Sequence, residues 1–243
     1  MSFLLALLLP LAASTTGSTA FPGDTEFLYR QYPSAIAAYE SRLATGVDSA
    51  EALWRLARVE VCMGDITEGD EGEAWYRKGE HLARTAVELD SLNPNAHTWL
   101  AVALGSIAVY EGSKSKVRMS YEIKYHLDRA VSLNPNDDVA FSVLGSFYAA
   151  LGNVSWMERQ LARMFLGRLP EGGYAEAEAS FKRAITIAPD VVRHHYALGL
   201  LYRALDRPEE AREEFVKAAS LPVRLARDVN DQRAAQQYLA ESQ

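Results

Sequence analysis

The sequence predicts an all-α protein, a solenoid of stacked helical hairpins, and three observations carry that prediction. The stretch "HYALGLLYRALDRPEEAREEFVKAASLP" (195–222) holds two amphipathic helical runs joined by a short polar break. The same pattern of small and aromatic residues recurs upstream, as a repeat array requires. No strand-like alternation of any length competes with it.

The repeat at 195–222 shows the logic of each unit. Leu198, Gly199 and Tyr202 mark its first helix, and Ala211, Phe215 and Ala218 its second. Gly199, Ala211 and Ala218 let the two helices approach, while Tyr202 and Phe215 fill the space between them. The break "DRPEE" places Pro208 at the start of the second helix, where a missing N–H costs nothing. This is the tetratricopeptide pattern. Counting backward, Leu144, Gly145 and Tyr148 pair with Ala177, Phe181, Ala184 and Pro189. Trp99 opens a third unit closed by Leu127, Ala130 and Pro135, and Trp54 a fourth closed by Ala83, Ala86 and "LNP" at 92–94. Before these, "AIAAYESRLATG" (35–46) reads as a second helix with its partner around 24–32. After them, "DVNDQRAAQQYLAESQ" supplies the polar capping helix that a stacked array needs. Residues 21–243 are therefore expected to form one repeat domain.

Composition narrows the function classes. With 49% hydrophobic and 23% charged residues, the 243-residue chain is able to bury a sizeable core. A net charge of -7 and no basic run argue against nucleic-acid binding, which needs clustered Lys and Arg. The single cysteine, Cys62, excludes an intramolecular disulfide and reads as a small core residue. The first 20 residues, "MSFLLALLLPLAASTTGSTA", resemble a secretory signal peptide. Their apolar stretch Phe3–Ala13 is too short to span a bilayer, and Ser18 and Ala20 fit a cleavage site before Phe21. The missing Lys or Arg departs from that pattern. The expectation is an exported protein, periplasmic or secreted, if this segment works as a signal, and a cytoplasmic one otherwise.

Three units carry surplus residues, near 65–78, 110–122 and 153–173, expected as loops on one face. The last is the longest: Tyr148 to Ala177 exceeds Tyr202 to Ala211 by twenty residues. Within it, Ser155 and Glu158 form a capping box, so a helix starts at Trp156 and ends near Gly167, before Pro170. Met157, Leu161, Met164 and Phe165 share one face of that helix; Trp156, Arg159 and Arg163 lie on the other side. Two readings stay open. The apolar face packs as a shim against the neighbouring hairpin, which periodicity alone favours, or the helix lies over the groove or on an anionic membrane surface.

The inner surface of such an array is built from the second, fifth, ninth and twelfth positions of each first helix. Here these are Ala52, Arg55, Val59 and Cys62; His97, Leu100, Leu104 and Ile107; Val139, Ser142, Ser146 and Ala149; and Arg193, Tyr196, Leu200 and Arg203. The middle is apolar or small and the ends are basic. Such a groove suits the apolar face of a partner helix or an acyl chain, with an anionic group near an arginine, unless these positions are simply core. The five histidines lack metal-binding spacing, "DITEGDEGE" (65–73) fails the EF-hand pattern, and no nucleophile elbow, phosphate loop or dinucleotide fingerprint occurs. Neither an enzyme nor a cofactor is expected.

The segments "LWRLARV" (53–59), "HTWLAVALGSIAVYEG" (97–112), "YHLDRAVSLNP" (125–135) and especially "SWMERQLARMFLGRLP" (155–170) resemble the regulator of microtubule dynamics protein family, over about 52–222. That family carries an S-W-x-E opening and an F-G-x-x-P-like close within a tetratricopeptide array. In this chain the close runs from Phe165 to Pro170: either Phe165 and Gly167 match the F-G pair with one residue more between them, or Leu166-Gly167 stands for that pair itself. The resemblance implies association with microtubules, or binding of phospholipid by the repeat domain as in a membrane-anchored member. Three expectations follow: a binding module for a protein or peptide partner, a phospholipid carrier with helix 155–169 as lid, and a microtubule-associated protein.

Overall fold

The computed structural model describes residues 20–224 and 226–241; the signal-like segment at 1–19 lies outside the described residues. Twelve helices follow one another among the described residues, with no strand. A short pair, α1 (Asp24–Leu28) and α2 (Tyr32–Ala44), leads into hairpins α3 (Ser49–Asp65) with α4 (Gly69–Leu89) and α5 (Pro94–Glu111) with α6 (Ser113–Leu133). Hairpins α7 (Asp138–Gly152) with α9 (Tyr174–Ile187) and α10 (Val192–Ala204) with α11 (Pro208–Ser220) complete the array. The insert helix α8 (Trp156–Phe165) interrupts the third hairpin, and α12 (Ala226–Glu241) closes the chain. Each hairpin packs on the next through its second helix, α4 on α5, α6 on α7 and α9 on α10, and successive first helices also meet. The last helix packs on α10 and α11 and also meets α3, so the array curls tightly round its inner face.

Local chemistry explains the helix starts. Asn93 accepts a hydrogen bond from the Ala96 N–H, with Pro94 at the first position of α5. Asp137 does the same for the Ala140 N–H at the start of α7. Gly112, at φ 90, is the single residue between α5 and α6, a backbone shape that a side chain would strain.

Two of the three surplus stretches are not loops. Residues near 65–78 and 110–122 are absorbed as extra helical turns: α3 and α4 run 17 and 21 residues and α5 and α6 run 18 and 21, against 13 each for α10 and α11. Continuing a helix satisfies every backbone N–H and C=O internally, which a loop of that length would have to do through water. Only 153–173 builds an element of its own.

The core runs along the hairpins as the repeat marks foretold. Ala177, Phe181, Leu198, Tyr202, Ala211, Phe215 and Ala218 form one buried cluster, and Ala57, Ala83, Leu100, Leu104, Leu127 and Leu144 another. Cys62 sits half-buried against the cluster of Phe27, Tyr32 and Tyr39. Buried polar side chains pair across helices. Glu60 of α3 meets the Lys78 ammonium of α4 at 2.6 Å, and His195 meets Glu214 at 2.6 Å.

Candidate functional site

The inner helices α3, α5, α7 and α10 carry the positions expected to line a groove, and the structure divides them. Val59, Leu100, Leu104 and Ile107 are buried, Leu100 and Leu104 within the second core cluster. These four are core, not groove: Val59 packs with Phe27, Tyr32 and Tyr39 of the α1–α2 pair, and Leu100 and Leu104 with Ala57, Leu127 and Leu144 of the surrounding helices. Ser142 is buried as well, and its carbonyl accepts a hydrogen bond from the Ser146 hydroxyl at 3.1 Å.

The basic ends are occupied. Arg55 donates through Nε to both Asp24 carboxylate oxygens at 3.1 Å, pairs with Glu51, and stacks 4.1 Å from the ring centres of Phe21 and Trp54. Arg193 lies 3.5 Å from Asp138 and 3.8 Å from Asp228 of α12. His194 approaches the same Asp138 oxygen at 2.7 Å. Burial opposes ionisation of Asp138, but the His194 hydrogen bond and the neighbouring charges outweigh it and hold the carboxyl below its usual range. These arginines fasten helices together and are not free anion-binding groups.

What remains open lies on α7 and α10. Ser146, Leu200 and Arg203 are exposed and Tyr196 is half-buried. The Arg203 guanidinium sits 4.9 Å from the Tyr238 ring of α12, and Tyr196 packs against Phe215 at 5.7 Å. Ser146, Leu200 and Arg203 are the exposed ones among the inner-face positions, and Leu200 and Arg203, one turn apart on α10, set an apolar side chain beside a cation.

The second candidate is α8. Its capping box forms as the sequence requires: the Glu158 N–H donates to the Ser155 hydroxyl at 3.3 Å, and the Ser155 N–H to the Glu158 carboxylate at 2.8 Å. The helix axis turns 95° from α7. Arg159 points inward and donates to the carbonyls of Leu151 at 2.6 Å and Gly172 at 3.4 Å. Ala162 is the only buried residue of the helix. Trp156, Met157, Leu161, Met164 and Phe165 are 74%, 66%, 50%, 73% and 74% exposed. The shim reading is thus corrected: the face expected to pack is turned to solvent.

Sequence reasoning missed the buried polar pairs. His97 and His126 face each other Nδ1 to Nδ1 at 2.8 Å, and the other His97 nitrogen bonds the Ser91 carbonyl at 3.1 Å. Burial lowers both histidines, His126 to about 4. No local pattern announces a partner 29 residues away. Among the described residues, no group of three or more His, Cys, Asp or Glu is placed to hold a metal ion, and no single helix is long and apolar enough to cross a membrane.

With this geometry established, comparison with known proteins decides the family. Residues 24–243 match the family described as regulator of microtubule dynamics protein 1-3. The chain belongs to that family. Regulator of microtubule dynamics protein 1 of Bos taurus is 30% identical over 223 residues, covering 89% of this chain and 67% of the relative. Regulator of microtubule dynamics protein 2 of Homo sapiens is 26% identical over 194 residues, covering 79% of this chain and 47% of the relative. Among solved structures, a thermophilic tetratricopeptide-repeat protein of Thermus thermophilus superposes with a TM-score of 0.65 at 21% identity, covering 90% of this chain and 95% of that one. That likeness shows the fold: a tetratricopeptide-like helical solenoid. The family match spans α8, so the insert lies inside the family's region and is not an appendage to it.

Proposed function

We propose that this member of the family is a non-enzymatic binding module that takes a protein or peptide partner on the open part of its inner face, between α7 and α10. The observation that supports it is the exposure of Ser146, Leu200 and Arg203 on helices that the array holds rigid, with Tyr196 half-covered beside them. A preformed surface loses little conformational freedom on binding, which is what a repeat array supplies to an adaptor. Leu200 beside Arg203 suits a partner segment that offers an apolar side chain next to a carboxylate. The family's description makes the microtubule the first protein to try.

Peptides selected by display against the chain should lose about tenfold in affinity on Leu200→Asp with Arg203→Glu. Peptides that bind this variant as well as the parent would refute the inner-face site. Co-sedimentation with polymerised tubulin tests the microtubule, and the same double variant should abolish it. Compartment discriminates between partners: a mature chain beginning at Phe21, by intact mass from its native cell, would mark export and remove microtubules from contention.

A further inference from the structure

The last helix lies along α10, and we infer that α12 is a displaceable resident there, holding the place of a partner helix with the same spacing of carboxylate and ring. The inference rests on the inner-face reading above, and names the partner's chemistry and what the partner must move. Three of the four inner positions of α10 face α12. Asp228 stands 3.8 Å from the Arg193 guanidinium, and the Arg203 guanidinium stands 4.9 Å from the Tyr238 ring centre. Between them, the charge of Asp231 acts on Tyr196. Each of these pairs is 35 positions apart in the chain, so α12 runs parallel to α10 in one fixed register, as the first helix of another unit would. The Tyr238 ring also covers Phe215, their centres 4.4 Å apart. By meeting α3 as well, α12 stands between the two ends of the array.

The hold on α12 is light. Ala235 is its one buried apolar side chain among the described residues, whereas α11 buries Ala211, Phe215 and Ala218. Tyr238 and Leu239 are half-buried, and much of the remaining attachment is polar. Gln232 donates to the Leu221 carbonyl at 2.6 Å, and Arg224 of the connector pairs with Asp190. An element with few buried apolar contacts opens locally, well below the cost of unfolding the whole chain. With α12 lifted, α10 presents Arg193, Tyr196, Leu200 and Arg203 in one row about 15 Å long, with Phe215 uncovered beside it. Arg193 keeps Asp138 at 3.5 Å, but the row loses the charges of Asp228 and Asp231 and becomes more positive. What refills it is a helix parallel to α10 with a carboxylate for Arg193 and, ten residues on, an aromatic ring for Phe215 and Arg203. Arg203 thus belongs both to the open patch and to the place α12 fills.

The test uses the full chain and, as probe, a fluorescein-labelled synthetic peptide with the sequence of residues 222–241. A tethered helix competes at an effective concentration of roughly 1 mM, so the probe should half-saturate the parent near that concentration, whatever its own affinity. Tyr238→Ser in the chain weakens the resident and not the probe, and should lower the half-saturation about tenfold. Gln232→Ala in the chain leaves every ring in place and should lower it a few-fold. The same Tyr238→Ser change in the peptide, or Asp228→Asn, should raise it about tenfold. Hydrogen exchange reads the exchange of place. Saturating probe should speed exchange in α12 about tenfold while α10 and α11 stay protected, which also verifies that each variant folds. Half-saturation unmoved by Tyr238→Ser, or probe binding without faster exchange in α12, would overturn the inference. Display-selected peptides that depend on Leu200 but leave α12 exchange unchanged would keep the inner-face reading and overturn this one. A dimer formed by the full chain and lost in Tyr238→Ser would give the place to a second copy's helix and overturn the separate partner.

Discussion

Gly145 and Gly105 are both helix-interior glycines, and the structure gives their replacement by alanine opposite signs. A Cβ on Gly145 would stand 2.6, 2.7 and 2.9 Å from Cδ1, Cε1 and Cγ of Phe181. Carbon atoms in good contact lie roughly 3.5–4.0 Å apart, so the ring or the helix must retreat by about an ångström. Phe181 is 2% exposed within the core of α7, α9 and α10 and has no free space to swing into. Overpacking of this kind costs about 1–3 kcal/mol, against which alanine returns about 1 kcal/mol of helix propensity. The net expectation for Gly145→Ala is a loss of about 1 kcal/mol, or about 2–4 °C in Tm for a chain of this size. Gly105, midway along α5, has no such neighbour within 4 Å. Gly105→Ala should therefore gain about 0.5–1 kcal/mol. Urea unfolding followed by far-ultraviolet circular dichroism measures both, with a second probe to verify that the array unfolds as one unit. A third variant, Gly145→Ala with Phe181→Leu, should recover part of the loss if the ring is the obstacle. A stabilising Gly145→Ala would refute the claim that small residues at this crossing set the helix separation.

Other expectations concern protons and the insert. Burial lowers His97 and His126, the latter to about 4, so the folded chain prefers both neutral. Their stability is fully present above the unfolded value near 6.5 and is lost as pH falls from there toward 4. The urea midpoint of His126→Gln should fall less steeply across that window than that of the parent; parallel slopes would exclude the pair. Glu178 is held at about 2, chiefly by its hydrogen bond from Arg207, with Lys182 adding to it. Its contribution should be present above the usual carboxylate value and fade only as pH drops toward 2, so Glu178→Gln should converge with the parent at the acid end of a stability titration. Arg159→Ala removes the donor to the Leu151 and Gly172 carbonyls. Trypsin should then cut after Arg163 and Arg168 several times faster, with little change in the global melt, because only the insert opens. An unchanged cutting rate would mean that Arg159 does not anchor α8.

The sequence by itself determined the hairpins, because their marks are local. Small residues at helix crossings, aromatics between helices, and caps such as Ser155 with Glu158 act within one unit and are visible without knowing its neighbours. It also placed Met157, Leu161, Met164 and Phe165 on one face of α8, since helical phase is a property of spacing. Periodicity marks which residues share a face but not where that face points. That direction depends on the 95° turn from α7 and on Arg159 reaching two carbonyls of the body, and these left the apolar arc in solvent. The inner positions follow the same division. Repeat register selected Val59, Leu100, Leu104 and Ile107 as facing inward, but packing between adjacent units, Val59 on the α1–α2 pair and Leu100 and Leu104 among the helices of their neighbours, made them core. Arg55 and Arg193 were legible as cations, and only the fold brought Asp24, Asp138 and Asp228 against them. Curvature and long-range charge pairing are sums over many contacts between units, and no single stretch of the chain encodes them.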